Sequence, residues 1–329
     1  MNGKNGKNDL RNKQYVSYSA YSLIFKKSRF VFKCYILFLF QMSLIEISDN
    51  EKLYVLHGVQ DDVRIDGRHR RQVRPLKFET ELVTHANGSA NLRLANTDIL
   101  VGVKAELDLD EEQVDKARLE FFVDCSANAT PDFEGRGGEA LATDLSKTLA
   151  KAYRDPKVFD YASLRGDGYS WILYIDILIL EVGGNLFDAV SMAVKAALHA
   201  TIIPKVRVST IDGGQPELEL SDDPLDGNRL DVTQCPILVT MCRIGNYCVV
   251  DPTPEEEACS IASLVLGITP DGSVTASKKI GPGSFNLDAL QRAIQDGQEV
   301  GKEVQKALMD KIVQEERMGI GRKKIGFLK

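Results

Sequence analysis

The stretch from Trp171 to Val182 (WILYIDILILEV) constrains the fold more than any other. A run this apolar, closed by Gly183-Gly184-Asn185, has the pattern of a strand buried on both faces. Such a strand needs cover on either side, which a lone hairpin or a disordered chain cannot supply. The turn leads into text of helical period, with Leu186, Ala189, Val190, Ala193 and Ala197 on the side expected to be buried.

The flanking text supplies the remaining elements. Ser48-Asp49-Asn50-Glu51 is a capping box that opens a helix to about Gln60. Leu76 to Val83 and Ala90 to Leu94 alternate around a hairpin loop at His85–Ser89, followed by strands at Ile99–Ala105 and Ala117–Cys125. Gly138 to Tyr153 carries Leu141, Leu145 and Leu149 at helical spacing. Beyond the turn-rich stretch 213–231, strands are expected at Pro236–Arg243, Tyr247–Val250, Ala262–Ile268 and Ser273–Ile280. A last helix, Asn286 to about Glu316, has a stripe of Leu287, Leu290, Ile294, Val300, Val304, Leu308 and Ile312. The organisation expected is a leader (1–41), an N-terminal helix and turn (42–72), a first domain (73–212), a linker (213–231), a second domain (232–318) and a tail (319–329). Strands followed by covering helices in both halves make an α+β protein.

With 43% apolar and 27% charged side chains among 329 residues, the chain has ordinary globular composition. A collagen, a disulfide miniprotein and a polytopic membrane protein are excluded. Charge is uneven: residues 1–41 hold eight basic side chains and one acid, and the rest hold 33 basic against 46 acidic. A strongly basic nucleic-acid module is therefore excluded as well. The leader has a short apolar run, Cys34 to Phe40, too short to span a bilayer and without a small-residue cleavage pattern. It is expected to be a disordered extension. The six cysteines form no C-x-x-C pair, and Cys235, Cys242 and Cys248 lie in strand-like text as reduced thiols.

Three segments carry a resemblance: Arg64-Ile-Asp-Gly-Arg68, Asn87-Gly-Ser-Ala90 and Thr97-Asp-Ile-Leu-Val-Gly-Val-Lys104. They resemble the RNase PH family. Leu119–Ser126, Phe133-Glu-Gly-Arg-Gly-Gly138, Gly183–Asp188, Glu219–Pro224, Asp251-Pro-Thr-Pro-Glu-Glu-Glu-Ala258 and Gly326-Phe-Leu are similar to its ring subunits in the eukaryotic RNA exosome. The resemblance covers about residues 45–329. It implies the RNase PH fold, two packed α/β units with mixed sheets covered by helices. It further implies a six-membered ring with RNase PH-like neighbours and RNA-binding cap subunits, acting on single-stranded RNA in nucleus, nucleolus and cytoplasm, with no membrane partner and no cofactor.

Active relatives use phosphate to cleave the 3′-terminal linkage, which needs an anion site at a helix N-terminus and carboxylates near the leaving oxygen. Where active bacterial relatives look like Gly-Gly-Thr-Arg, Asn185 and Leu186 stand, so the cation is missing. Asp188 adds a negative charge to the first helical turn. Asp251 matches the first acid of the active pattern and Glu257 the second, although Glu255–Glu257 also fit a solvated acidic turn. His57, His69, His85 and His199 are scattered, and no metal-ligand set appears. Two functions follow: a non-catalytic structural and RNA-path subunit supporting 3′-to-5′ RNA processing and degradation, ribosomal RNA maturation included; alternatively, an active phosphate-dependent exoribonuclease releasing nucleoside diphosphates, its site shared across an interface. Candidate RNA contacts are Arg136, Arg93 and Lys104. Arg64 and Arg68 are expected instead to pair with Asp61, Asp62 or Asp66.

Overall fold

The computed structural model describes residues 47–108, 118–166, 169–209, 217–221 and 226–318. They belong to the unit Ile45–Lys329. The leader and the tail expected at 319–329 lie outside the described residues.

Helix α1 (Asp49–Gln60) starts at the expected capping box: Ser48 Oγ accepts from Glu51 N–H (3.3 Å), and Glu51 accepts from Ser48 N–H (2.8 Å). Strands β1 (Leu76–Thr80), β2 (Gly88–Leu94), β3 (Thr97–Asp108), β4 (Arg118–Cys125), β5 (Arg165–Gly166) and β6 (Tyr169–Glu181) form the first sheet. Its order is β1-β2-β3-β6-β4, with β5 against β6. All pairs are antiparallel except β4 with β6, so this sheet is mixed. Helices α2 (Glu139–Ala152) and α3 (Leu186–His199) follow β4 and β6.

Between the halves run β7 (Ile202–Pro204), β8 (Val206–Ser209), β9 (Glu217–Leu220) and β10 (Gly227–Arg229). Two of these strands fall inside the stretch read as a linker, and β10 folds back onto β7. The second sheet has β11 (Ile237–Ile244), β12 (Tyr247–Val250), β13 (Ala262–Ile268) and β14 (Val274–Ile280) in the order β12-β11-β13-β14. It is antiparallel throughout rather than mixed. A short helix α4 (Pro254–Cys259) joins β12 to β13, and α5 (Leu287–Met318) closes the fold.

Helix α3 decides how the halves meet. It packs on β2 and β3 of the first sheet and on β11 of the second. Every residue from Leu186 to Leu198 is buried, including Asp188, Ser191 and Lys195. The side expected to be buried is buried, and the opposite side is buried as well. Its polar side meets polar partners: Ser191 Oγ accepts from Leu238 N–H (2.8 Å), and Lys195 donates to the Cys235 carbonyl (2.7 Å) and to Gln305 of α5. Alternate β11 residues face opposite ways, Thr240 to α3 and Met241 to Gly297 of α5. On α5, Val300, Leu308 and Ile312 are buried as expected, but Leu287 at the first turn is 78% exposed.

Candidate functional site

Three chain reversals meet at the N-terminal end of α3. The first is Gly183-Gly184-Asn185, where Gly184 (φ +81°) and Asn185 (φ +55°) are left-handed. A Cβ on Gly184 would lie about 3.0 Å from Pro252 O and Pro254, so the turn packs directly on the second reversal, Asp251–Pro254. Asp251 closes β12 with φ +49°, a conformation that costs a non-glycine residue energy and persists only where neighbours over-determine it. The third is the arginine-rich arm before β1. It brings Arg64, Arg68 and Arg74 into the same place.

Asp251 is fully buried and both carboxylate oxygens are filled. Oδ2 accepts from Arg74 N–H (2.8 Å), Arg74 Nε (2.9 Å) and Arg68 Nη1 (3.0 Å). Oδ1 accepts from Arg74 Nη2 (2.8 Å) and Asn185 Nδ2 (2.7 Å). Burial alone would raise this carboxyl, but Arg74's hydrogen bonds and charge outweigh it and hold Asp251 below the usual range. Arg74 also donates to the carbonyls of Gly183 (2.6 Å) and Gly184 (3.2 Å), tying the two reversals together.

Arg64 and Arg68 are buried rather than displayed on the surface. Arg64 pairs with Glu256, not with Asp61, Asp62 or Asp66, and donates to the carbonyls of Val250 (2.9 Å) and Asp251 (2.8 Å). Arg68 pairs with Asp66 as expected, and also with Asp251. Glu255–Glu257 do not form a solvated turn. They sit in α4, whose capping box ties Thr253 to Glu256 and turns Glu256 inward; only Glu255 is exposed. Glu257 is partly exposed, yet its carboxylate turns back to accept Asn185 N–H (2.8 Å).

Asp188 is buried in the first turn of α3. It accepts from Thr240 N–H (3.0 Å), Thr240 Oγ1 (2.6 Å) and Asn185 Nδ2 (2.9 Å). Burial pushes both Asp188 and Glu257 up to about 7, against the hydrogen bonds they accept. Leu186 is buried and brings no charge. Among the described residues no cluster of three or more His, Cys, Asp or Glu could hold a metal ion, and no helix is long and apolar enough to cross a membrane.

The candidate RNA contacts do not converge. Arg93 pairs with Glu181 (3.0 Å) near the end of the first sheet where β3 begins. Lys104 pairs with Glu106 (2.8 Å), and six residues of β3 separate it from Asp98, the register partner of Arg93, on the order of 20 Å. Arg136 is 89% exposed at its side chain, with Glu139 at 3.5 Å. Its glycines have an internal purpose: a Cβ on Gly137 would meet Asp132 O at 1.6 Å, and one on Gly138 would meet Cys125 at 2.5 Å. Arg74, the residue that organises the site, carried no signal in the sequence beyond lying in an arginine-rich arm.

Residues 72–204 match the 3′ exoribonuclease family, domain 1, and residues 234–300 match domain 2 of that family. The chain belongs to the 3′ exoribonuclease family and has its two-domain RNase PH fold. It is 34% identical over 323 residues to the putative exosome complex exonuclease RRP42 of Dictyostelium discoideum, covering 82% of this chain and 98% of that protein. It is 31% identical to the exosome complex component Rrp42 of Methanopyrus kandleri, covering 77% and 94%. The solved Archaeoglobus fulgidus exosome with RNA bound to the active site contains a chain superposing at a TM-score of 0.67 with 25% identity, covering 79% of this chain and 98% of that one.

Proposed function

We propose that this protein is a non-catalytic structural and RNA-path subunit of an exosome ring, assembled with other RNase PH-like subunits and RNA-binding caps and supporting 3′-to-5′ RNA processing and degradation. Kinship with the Rrp42 components supports the ring. The observation that carries the non-catalytic part is the closure of Asp251. Its two oxygens take five donors from Arg68, Arg74 and Asn185, which leaves Asp251 no free oxygen for a metal and commits Arg68 and Arg74 to a carboxylate rather than to phosphate. Asn185 and Leu186 add no positive charge where phosphate would need it. We further propose that Asn185, Leu186, Asp251 and Glu257 are former active-site positions now used for packing.

The chain outside the leader is acidic, so RNA must meet a local basic rim rather than a general field. Arg136 is the best placed of the three candidates, because Arg93 and Lys104 each face a carboxylate within 3.0 Å. Nucleus and cytoplasm are the proposed locations. Coexpression with RNase PH-like subunits followed by native mass spectrometry tests the assembly: a stoichiometric ring is expected, and a chain that stays alone in every combination overturns it.

A further inference from the structure

Five acids and three arginines are gathered where the two domains join. Arg64 is committed to Glu256, and Arg68 and Arg74 to Asp251, with Arg68 shared further with Asp66. Asp188 and Glu257 have no arginine of their own. They stand on either side of Asn185, one accepting its side-chain N–H and the other its backbone N–H. Asn185 is 2% exposed. Its Nδ2 donates to both Asp188 and Asp251, while its Oδ1 is buried without a hydrogen-bond partner. A buried acceptor left unfilled is costly, and two further ionised carboxylates beside Asp251 would repel.

One event relieves the repulsion. A proton on either carboxyl removes one of the three negative charges gathered around Asn185. We infer that the domain junction takes up a proton on folding, carried by the Asp188–Glu257 pair around Asn185, so that the joint is tightest when the pair is protonated and loosens as it ionises.

The charged and titratable groups facing the pair are Arg74 from the arm, Asp251 from the end of β12, the Cys242 thiol of β11 beside Glu257, and each member of the pair itself; Thr240 of β11 is the neutral donor. Arg74 lowers Glu257, whereas Asp251 raises both, and burial is the largest influence on each. Both carboxyls rise to about 7 from ordinary values of 3.8 and 4.5. Their contribution to stability is therefore fully present below about pH 4 and is lost as pH rises through about 7. The inference needs neither RNA nor ring assembly, so its failure would leave the proposed function standing.

The test compares denaturant unfolding of the full chain, or of its complex, with the Glu257→Gln and Asp188→Asn variants. Each amide mimics a protonated carboxyl. At about pH 4 variant and wild type should differ by no more than about twofold in unfolding constant, and at about pH 8.5 Glu257→Gln should unfold on the order of a hundredfold less readily than wild type. Parallel pH profiles for wild type and both variants would overturn the inference. Infrared spectroscopy of the wild type needs no variant: a protonated-carboxyl band that disappears with a midpoint near pH 7 is expected. Its absence across the whole range would overturn the proposal equally.

Discussion

Arg74 holds Asp251 with three of its own donors, the backbone N–H and Nε on one carboxylate oxygen and Nη2 on the other, at 2.8, 2.9 and 2.8 Å. A backbone amide and a guanidinium from one residue thus close both faces of one carboxylate, 177 positions away in sequence. The pair is buried, so its removal from one side is far more costly than the loss of a surface ion pair.

Arg74→Ala should therefore destabilise the protein by about 3–5 kcal/mol, because Asp251 would be left buried with fewer donors. Arg74→Lys should recover only part, since an ammonium cannot bridge both oxygens and the Gly183 carbonyl at once. Chemical denaturation of the full chain measures both. A loss below about 1 kcal/mol for the alanine variant would mean that Arg68 and Asn185 hold Asp251 without help.

Gly183→Ala should weaken the same site through the backbone. The added Cβ would lie 2.6–2.8 Å from Asn96, so the turn must shift and the Gly183 and Gly184 carbonyls move away from Arg74. A destabilisation of about 1–3 kcal/mol is expected, as for other overpacked sites. Combined with Arg74→Ala, the two effects should be less than additive, which a double-mutant cycle reads directly.

Local pattern made most of the fold legible and little of the site. The period of two in Ala90–Leu94, the Ser48–Glu51 box and the apolar run of β6 each reflect short-range physics, and each element lies within a few residues of its expected bounds. What failed was long-range. Nothing in Glu255–Glu257 announces that Glu256 meets an arginine 192 positions earlier, or that Glu257 turns back to a helix start. Helical period picked out the apolar side of α3 but not that its polar residues Asp188, Ser191 and Lys195 are buried too, each with a partner from the second half. The family resemblance directed attention to Asn185, Leu186, Asp251 and Glu257 but gave no reason to consider Arg74.

Lys195 predicts a pH effect of the opposite sign to that at Asn185. Burial lowers its ammonium from 10.5 to about 8, so the unfolded chain binds the extra proton between those values. Stability from this group should rise from about pH 8 to about pH 10.5. Lys195→Met removes the titration and should remove that rise. The denaturation midpoint of wild type relative to the variant, at about pH 7.5 and about pH 10, checks it. A constant difference would show that Cys235 O and Gln305 keep the ammonium fully charged.

Arg136→Ala, in the assembled ring, should lower the salt slope of single-stranded RNA binding by about 0.7, the value of one phosphate contact. Arg93→Ala and Lys104→Ala should change it less, since Glu181 and Glu106 already neutralise those cations. Titrations at several salt concentrations give the slopes. Equal slopes for wild type and Arg136→Ala would take this loop off the RNA path.

Phosphate-dependent cleavage tests the closed Asp251 site most directly. The purified chain, alone and paired with each RNase PH-like neighbour whose own acidic positions have been substituted, is incubated with end-labelled single-stranded RNA, magnesium and inorganic phosphate. Because Arg74, Arg68 and Asn185 fill the carboxylate and no cation stands at Leu186, no nucleoside diphosphate should be released in any combination. Release that requires phosphate and is abolished by Asp251→Asn in a chain that still folds would contradict the account.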